Sequence, residues 1–209
     1  ASLSARKGEY SEYDPSRIKV DEIPVNGFSG AFSAVPVEDK IYFVGEKDVN
    51  PGDLVNPWNG QSFLDIYEVS KNGENEWSEP KPTNGDLNNM LHDGPLTIDP
   101  SGDKAYVTRS AVDDNNKKKL DVNRVNQLKI YEYKKNGSGD WEFNEELPIN
   151  KAKTSSMHPS MTADGKIMFF VSDRKDGMGG NDIYMVECEN GMWGEPQNLG
   201  SNINTPDKL

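Results

Sequence analysis

Residues 182–193, DIYMVECENGMW, recur in altered form twice earlier in the chain. Residues 65–77 are DIYEVSKNGENEW and residues 129–141 are KIYEYKKNGSGDW. The tyrosine-to-tryptophan separations are 10, 10 and 9 residues (77 − 67, 141 − 131, 193 − 184). Self-similarity at a long period indicates a repeat architecture. Six aromatic residues are therefore predicted to be packing residues of the repeated unit: Tyr67, Trp77, Tyr131, Trp141, Tyr184 and Trp193.

The similarity extends beyond this stretch. Residues 28–40 align without a gap with residues 92–104, and residues 158–166 form a shorter third copy. Each copy continues into an apolar run, and an acidic stretch with a proline follows each tryptophan. Each unit therefore offers four short strands, with an Asn-Gly pair between strands three and four that favours a tight hairpin. Four antiparallel strands per repeat predict an all-β fold of β-propeller blades with few helices.

The repeat divides the chain into five parts. We expect a polar tail at 1–16, a leading strand from a preceding blade at 17–27, and blades at 28–87, 88–152 and 153–209. The leading strand is predicted because RIKVDEIPVN at 17–26 resembles ELPIN at 146–150. The last part includes the start of a connection to a further blade. Closed propellers need roughly four to eight blades, so we expect a partial ring, completed by more chain or by self-association of two copies.

One unit carries a resemblance to a known family. Residues 158–206, HPSMTADGKIMFFVSDRKDGMGGNDIYMVECENGMWGEPQNLGSNINTP, closely resemble the TolB-type (WD40-like) propeller repeat of Bacteroidetes envelope proteins. In that family the propeller typically sits between tetratricopeptide repeats and an OmpA-like peptidoglycan-binding domain, and some members belong to the type IX secretion machinery. The resemblance implies a periplasmic or outer-membrane-associated module of the cell envelope that binds envelope proteins or peptide segments.

Composition limits the partners. The net charge is −12, from 23 Lys and Arg against 35 Asp and Glu. Such an acidic chain repels phosphate, which argues against nucleic acid as a partner.

The single cysteine, Cys188, excludes an internal disulfide. No apolar run approaches the roughly 20 residues of a membrane span, and residues 1–16 lack the apolar core of a signal peptide, so we expect a mature or excised fragment.

The connections between strands two and three vary most in length. They run over about 45–63, 109–128 and 173–181. Loops on a rigid scaffold tolerate variation and often bind partners, so this end of the units is predicted to face a partner. Trp58, with Asn59 beside it and Asp53 earlier in the same loop, is a candidate anchor for a protein or glycan. The alternative is that Trp58 folds back and pins its own loop.

The second loop and the ends of the second strands carry charged candidates. Asp113 and Asp114 offer oxygen ligands for calcium, but EF-hand spacing is lacking and lysines 117–119 would compete, which favours a charged loop without metal. Further candidates for contact with a partner are Arg124, Arg109, Asp173 and Arg174. The last three lie near the end of strand two, where charged residues either join neighbouring blades or bind a ligand. Asp65 and Asp182 are predicted to bond backbone groups of the preceding turn.

Catalytic motifs are lacking. The chain has no Gly-x-Ser-x-Gly elbow, no His-Glu-x-x-His, no P-loop and no paired cysteines. His92 and His158 do not occupy equivalent positions in the repeat, and no third zinc ligand accompanies them. The boxes and the arginine triad of sialidase propellers are not matched. We therefore expect no catalytic residues, no metal and no cofactor.

Three functions remain open at this stage. The leading hypothesis is a non-catalytic protein–protein interaction scaffold of the bacterial envelope, within a larger OmpA-like peptidoglycan-associated protein. The second is a glycan-binding or glycan-cleaving propeller, which requires several exposed aromatic residues and paired carboxylates. The third is a structural spacer between flanking domains, which requires that both long loops be dispensable.

Overall fold

The computed structural model describes residues 22–74, 76–112, 117–121 and 123–207. Within these ranges every regular element is a β-strand, which confirms the all-β prediction. The strands form three sheets that follow one another along the chain, and all neighbouring strands are antiparallel. Each sheet is a meander, so the order of strands in space is their order in the sequence.

The thirteen strands are distributed as follows. Sheet one contains β1 (Phe28–Val37), β2 (Lys40–Lys47), β3 (Leu64–Ser70) and β4 (Lys81–Pro82). Sheet two contains β5 (Asp93–Ile98), β6 (Lys104–Ser110), β7 (Leu128–Lys135) and β8 (Trp141–Glu146). Sheet three contains β9 (Ser156–Met161), β10 (Ile167–Ser172), β11 (Asp182–Glu189), β12 (Met192–Trp193) and β13 (Gln197–Asn198), the last two both paired with β11.

The fourth strand differs between the sheets because of proline. In sheet two it is continuous, and Pro148 comes only after its end. In sheet three Pro196 lies between β12 and β13, and in sheet one Pro80 precedes the short β4. Proline has no N–H to donate to the ladder, so the strand is interrupted there. In sheet one, Trp77 therefore pairs with Lys71 in an isolated bridge outside the strands. In sheet two, the equivalent residues Trp141 and Lys135 pair within the continuous strands.

The Asn-Gly hairpins are found in one unit only. Asn190 and Gly191 have φ of 52° and 80°, the left-handed pair expected of a tight turn. At Asn136 the turn is built differently: the Asn136 side chain accepts hydrogen bonds from the backbone N–H groups of Ser138 and Asp140, and Gly139 takes the positive φ. The prediction of a tight Asn-Gly turn in every unit is therefore wrong, because the second connection is one residue longer and closes by side-chain bonds. In the first connection, of which residue 75 lies outside the described residues, Asn72 and Gly73 do not have positive φ.

Hydrophobic clusters fill the spaces between successive sheets. The cluster between sheets one and two includes Tyr42, Ile66, Leu96, Val107 and Trp141. The cluster between sheets two and three includes Tyr106, Ile130, Met168, Phe170 and Tyr184. A third cluster covers the outer face of sheet one with Phe43, Tyr67 and Val69, against which Ile23, Val25, Phe28 and Trp77 pack. All six repeated tyrosines and tryptophans lie in or against these clusters.

An asparagine clamp joins each sheet to the segment that leaves it. Asn88, Asn150 and Asn204 each accept a hydrogen bond from the backbone N–H of an isoleucine in the third strand, and each donates to the carbonyl of that same isoleucine. The isoleucines are Ile66, Ile130 and Ile183, and the six donor–acceptor distances lie between 2.7 and 3.2 Å. The clamp satisfies the isoleucine N–H, which has no ladder partner, and it adds a second donor to the isoleucine carbonyl, which also accepts from a backbone N–H.

The predicted leading strand is not a strand in its described part. Residues 22–27 have no strand assignment, because no sheet that they could join lies among the described residues. Ile23 and Val25 nevertheless pack on sheet one as Leu147 and Ile149 pack between sheets two and three. Residues 22–27 thus pack on sheet one in the same way as the connection after sheet two packs against sheet three.

Candidate functional site

One end of the three sheets collects the connections between second and third strands. We call this end the loop face and define it by residues 48–63, 111–127 and 173–181, of which 113–116 and 122 lie outside the described residues. In a meander these loops leave from the end opposite to the hairpins between strands three and four. The long first and second loops and the short third loop are therefore neighbours on one surface.

Trp58 stands at the tip of a hydrogen-bonded turn in the first loop. Its side chain is 96% exposed, so it does not fold back on its own loop. The turn is held by two backbone bonds between Asn56 and residues 60–61, both 2.8 Å long. The Asn56 side chain accepts from the Trp58 N–H at 3.1 Å, and the Asn59 side chain accepts from the Gln61 N–H at 3.1 Å. A large aromatic ring is thus presented to solvent on an ordered support.

A groove of about 500 Å³ runs beside Trp58, between the first and second loops. Its lining includes Pro57, Phe63, Leu91 and His92. The His92 ring anchors the first loop: its Nδ1 accepts from the Leu64 N–H at 3.1 Å, and its Nε2 lies 3.1 Å from the Asn56 amide. Burial lowers the pKa of His92, which favours the neutral ring that this acceptor role requires. His92 therefore positions the Trp58 turn.

The residue before the Ile-Tyr pair has a different environment in each sheet. In sheet one, Asp65 borders a cavity of about 300 Å³. Three buried atoms at this cavity have no hydrogen-bond partner among the described residues: Ser62 Oγ, Asp65 Oδ1 and Asn89 Nδ2. Burial raises the pKa of Asp65 to about 6, against the lowering effect of Arg109. A native fold seldom leaves several such groups together, so this cavity is a candidate binding site.

In sheet two the same position is Lys129. Its ammonium donates to the carbonyls of Lys151 and Thr154, at 2.5 and 2.8 Å, and the residue is buried. The lining of a neighbouring cavity of about 260 Å³ includes Lys119, Lys129, Lys153 and Glu146. Because the Lys129 ammonium already has two carbonyl partners, we assign it to joining the second sheet to the connection that follows.

In sheet three the position is Asp182, and the short loop closes over it. Its Oδ2 accepts from the backbone N–H of Met178 and from the Asn198 carboxamide, the latter at 3.0 Å. Asp182 Oδ1 and the Tyr184 hydroxyl have no partner among the described residues, but a Cβ at Gly177 would lie 2.3 Å from Asp182 Oδ2, so the space in front is filled. The expected bond from Asp182 to the preceding turn is thus present, whereas Asp65 forms no equivalent bond.

Arg109 and Arg174 are buried between sheets. The Arg109 guanidinium donates to Asp93 Oδ1 at 2.5 Å and to the carbonyls of Asp86 and Leu87 at 2.7 and 2.8 Å. Arg174 donates to the Ile149 carbonyl and lies over the Phe170 ring, 5.0 Å from its centroid. Both arginines therefore join a sheet to the connection that precedes it, and any contribution to partner binding stays a prediction.

The remaining candidates are scattered over the loop face. Arg124 is exposed at the tip of a turn, with φ of 62°. Asp173 accepts from the Ser155 N–H at 2.7 Å, and Asp53 accepts from the Asn50 N–H at 2.8 Å, so each stabilises local backbone. Asp113 and Asp114 lie outside the described residues. Within residues 22–74, 76–112, 117–121 and 123–207, no group of three or more His, Cys, Asp or Glu side chains could hold a metal ion.

Sequence reasoning missed two features of the site. One is Asp93, which is fully buried and accepts a hydrogen bond from Arg109. No motif in the sequence marks Asp93 as a partner of Arg109. Ser62 and Asn89 carry no pattern that would mark them, because their importance depends on the cavity between the first loop and the segment after sheet one.

The part of the chain that the structure describes contains no helix long and apolar enough to cross a membrane.

Comparison with known proteins supports the fold but no activity. No protein-family model matches the chain, and no curated protein matches it either. A solved structure of a protein of unknown function from Dyadobacter fermentans is similar over 84% of this chain and 52% of that one, with 15% identity and a TM-score of 0.54. An α-L-arabinofuranosidase from Lactobacillus brevis has 13% identity over 81% of this chain and 53% of its own, with a TM-score of 0.48. The chain spans about half the length of these structures.

Proposed function

We propose that this chain is part of a β-propeller that serves as a non-catalytic protein–protein interaction scaffold, with the loop face as its binding surface. The observation that carries the proposal is Trp58, an almost fully exposed tryptophan on an ordered turn beside a groove. Tryptophan is enriched among the residues that dominate protein interfaces. An ordered support reduces the entropy that is lost on binding.

The propeller assignment is supported by the repetition of contacts between sheets. Successive sheets bury a continuous hydrophobic layer, and the asparagine clamp recurs at each exit. Ile66 and Ile130 are fully buried by the next sheet, while the equivalent Ile183 is 38% exposed on the outer face of sheet three. A further sheet on that face would complete the pattern, as in a ring of roughly four to eight blades.

The mass of the chain in solution tests how the ring is completed. A mass of 23.3 kDa corresponds to one chain and would require blades from another segment or partner. Twice that mass would support a ring of six blades from two copies. A dimer that dissociates when Ile183 is replaced by Asp would show that this face is the contact.

The absence of catalysis is proposed because the chain lacks catalytic motifs and its most perturbed carboxyl group, that of Asp93, has structural contacts. Burial raises the pKa of Asp93 to about 7, a value that suits a general acid or base. However, Asp93 is fully buried, and its two oxygens accept from the Arg109 side chain and the Asn89 N–H. It therefore has no access to a substrate. Location in the cell envelope, membership of an OmpA-like protein and association with type IX secretion are proposals that rest on the repeat resemblance alone.

The test is binding of an identified partner. The full chain is used to recover proteins from an envelope extract, and the affinity of any recovered protein is then measured with purified components. Trp58→Ala is expected to weaken binding by about 2 kcal/mol or more, roughly thirtyfold in Kd. Met192→Ala is the matched control, since Met192 is 71% exposed at the opposite end of sheet three. Equal affinities of Trp58→Ala and wild type would contradict the proposal.

A further inference from the structure

Each described junction between two sheets contains one segment that leaves the first sheet and carries its asparagine clamp. We call these the exit segments: residues 87–88 leave sheet one, residues 147–150 leave sheet two and residues 203–204 leave sheet three. In the first junction Leu87 is fully buried. In the second, Leu147 and Ile149 are buried in the cluster between the sheets. Each described junction is thus filled by one exit segment.

A fourth segment of this kind lies on the outer face of sheet one, the face that points away from sheet two. Ile23 and Val25 pack there against the third hydrophobic cluster. The sequence EIPVN of residues 22–26 resembles the exit segment of sheet two, which places Asn26 at the position of Asn150. Residues 22–26 therefore have the features of the exit segment of a further sheet, which is not among the described residues.

Asn26 has the side chain of a clamp but no strand to hold. It is exposed, and its side chain forms no hydrogen bond within the described residues, whereas Asn150 forms two with Ile130, at 3.2 and 2.8 Å. The cluster below the segment is incomplete as well. Between sheets two and three the preceding sheet contributes Tyr106 and Ile130, and within the described residues no preceding sheet contributes to the cluster on sheet one. The place beside Asn26 therefore fits the third strand of a further sheet.

The described residues thus carry four exit segments for three sheets. A closed ring has as many junctions as sheets, so it needs one exit segment for each sheet. At a junction between sheet three of one copy and sheet one of a second copy, residues 203–204 and residues 22–26 would compete for one place. Asn204 already holds Ile183 at 2.8 and 3.0 Å, and Ile203 is 56% exposed beside it. Asn26 of a second copy would therefore find no free strand on sheet three.

We propose that the outer face of sheet one is an interface for a β-sheet from outside this chain that lacks an exit segment of its own, and that Asn26 clamps the third strand of that sheet. A second copy of this chain does not fit the place, because its sheet three brings its own exit segment. The kind of occupant follows from continuity with the two described junctions, in which a hydrophobic cluster and a clamp recur together. The inference rests on the propeller assignment in the proposed function and names the partner that the ring requires.

The test moves the surplus segment out of its place without shortening the chain. In the double variant Ile23→Asp with Val25→Asp, burying two carboxylates on the cluster is unfavourable, so residues 22–26 should leave the face of sheet one. Sheet three of a second copy, with its exit segment, then fits there. We expect the wild type to keep a mass of 23.3 kDa and the double variant to reach twice that mass or more, because contact between two different faces either closes a ring or continues as a filament.

Sedimentation equilibrium of the full-length proteins measures these masses. The solution contains about 0.5 M salt, so that exposed charges are screened within a few ångströms and the net charge of −12 does not keep the copies apart. Pro24→Asp is the matched control, since it adds charge to the same segment at an exposed position and should keep the mass of one chain. Ile183→Asp, added to the double variant, should restore the mass of one chain, because it places a charge on the contact face of sheet three.

The fold of each variant is checked by the ¹H–¹⁵N spectrum of residues 93–146, which form sheet two. Val25→Asp alone is a milder variant with the same expected direction, for use if the double variant loses this spectrum. A wild type that dimerises and is dissociated by Ile183→Asp would overturn the inference. A variant that keeps its spectrum, releases residues 22–26 and still has the mass of one chain would overturn it as well.

The clamp role of Asn26 has its own readout. Because Asn26 holds no strand in the isolated chain, Asn26→Ala should leave the midpoint of urea unfolding unchanged. Asn88→Ala removes bonds of 2.7 and 2.9 Å to Ile66 and should lower the midpoint. An equal fall for both variants would show that Asn26 has a partner inside this chain, which contradicts the proposed interface.

The proposed function has a separate outcome. If the masses contradict the interface while Trp58→Ala weakens binding of the recovered protein, the scaffold function stands and the interface on sheet one is wrong. If the masses are as expected and Trp58→Ala leaves that affinity unchanged, the interface stands and the role of Trp58 falls.

Discussion

The asparagine clamp allows a quantitative prediction for Asn150→Ala. Asn150 Oδ1 accepts from the Ile130 N–H at 3.2 Å, and Asn150 Nδ2 donates to the Ile130 carbonyl at 2.8 Å. Ile130 is fully buried, and its carbonyl keeps a second donor, the Leu147 N–H at 3.1 Å. Truncation therefore leaves one buried N–H without a partner, at about 1–3 kcal/mol, and removes one further bond, at about 0.5–1.5 kcal/mol. The sum is a loss of roughly 2–4 kcal/mol.

Urea unfolding, followed by tryptophan fluorescence, measures this loss. With a slope of about 2 kcal/mol per molar urea, in the middle of the usual range, the midpoint should fall by roughly 1–2 M. Asn144→Ala is the control, because Asn144 bonds only the side chains of Glu132 and Lys134 and is exposed. A loss below about 0.5 kcal/mol, the usual scatter for surface substitutions, would refute the clamp, as would an equal loss in the control.

Two further predictions concern backbone crowding and buried charge. Gly85→Ala should destabilise the chain by about 3 kcal/mol or more, since φ is +88° and the new Cβ would lie 2.0 Å from the Trp141 carbonyl oxygen. The control is Gly52→Ala, where φ is +97° but the space around the glycine is open. In the same urea assay this control should cost only about 1–2 kcal/mol. Burial raises the pKa of Asp93 to about 7, outweighing the lowering by Arg109. Between the ordinary pKa and this value the folded chain binds more protons than the unfolded chain, so stability relative to Asp93→Asn should fall as pH rises from about 4 to about 7. Parallel stability curves for the two proteins over that range would contradict this assignment.

The strands could be predicted from the sequence because they repeat. The same alternation of aromatic and apolar residues has to fill each space between sheets, so Tyr67, Tyr131 and Tyr184 recur at the same register, each paired with an apolar residue of the second strand. The clamps were also present as a signal, the dipeptides Leu87-Asn88, Ile149-Asn150 and Ile203-Asn204. They follow the tryptophans by 11, 9 and 11 residues (88 − 77, 150 − 141, 204 − 193).

Other features could not be predicted because they depend on packing between segments far apart in the chain. Arg109 and Arg174 occupy different register positions, yet they donate to equivalent carbonyls, those of Leu87 and Ile149. An alignment does not show that long side chains from different positions reach the same place. The exposure of Trp58 likewise depends on hydrogen bonds within residues 56–61. From the sequence alone, Trp58 could either be exposed as an anchor or fold back on its own loop.

The position before the Ile-Tyr pair shows how a repeat acquires a site. In sheet three the short loop and Asn198 donate hydrogen bonds to Asp182 Oδ2, while Asp182 Oδ1 has no partner among the described residues, and in sheet two the substitution to Lys129 finds carbonyl partners. In sheet one the loop is longer and Pro82 replaces the amide, so Asp65 is retained without its partners. The fold thus supplies hydrogen-bond partners to this position in sheets two and three and none in sheet one, and a buried polar group without a partner has a local cost. Because Asp65 lies at the start of β3, directly after the loop that carries the exposed Trp58, a single partner that contacts both is the simplest source of compensation.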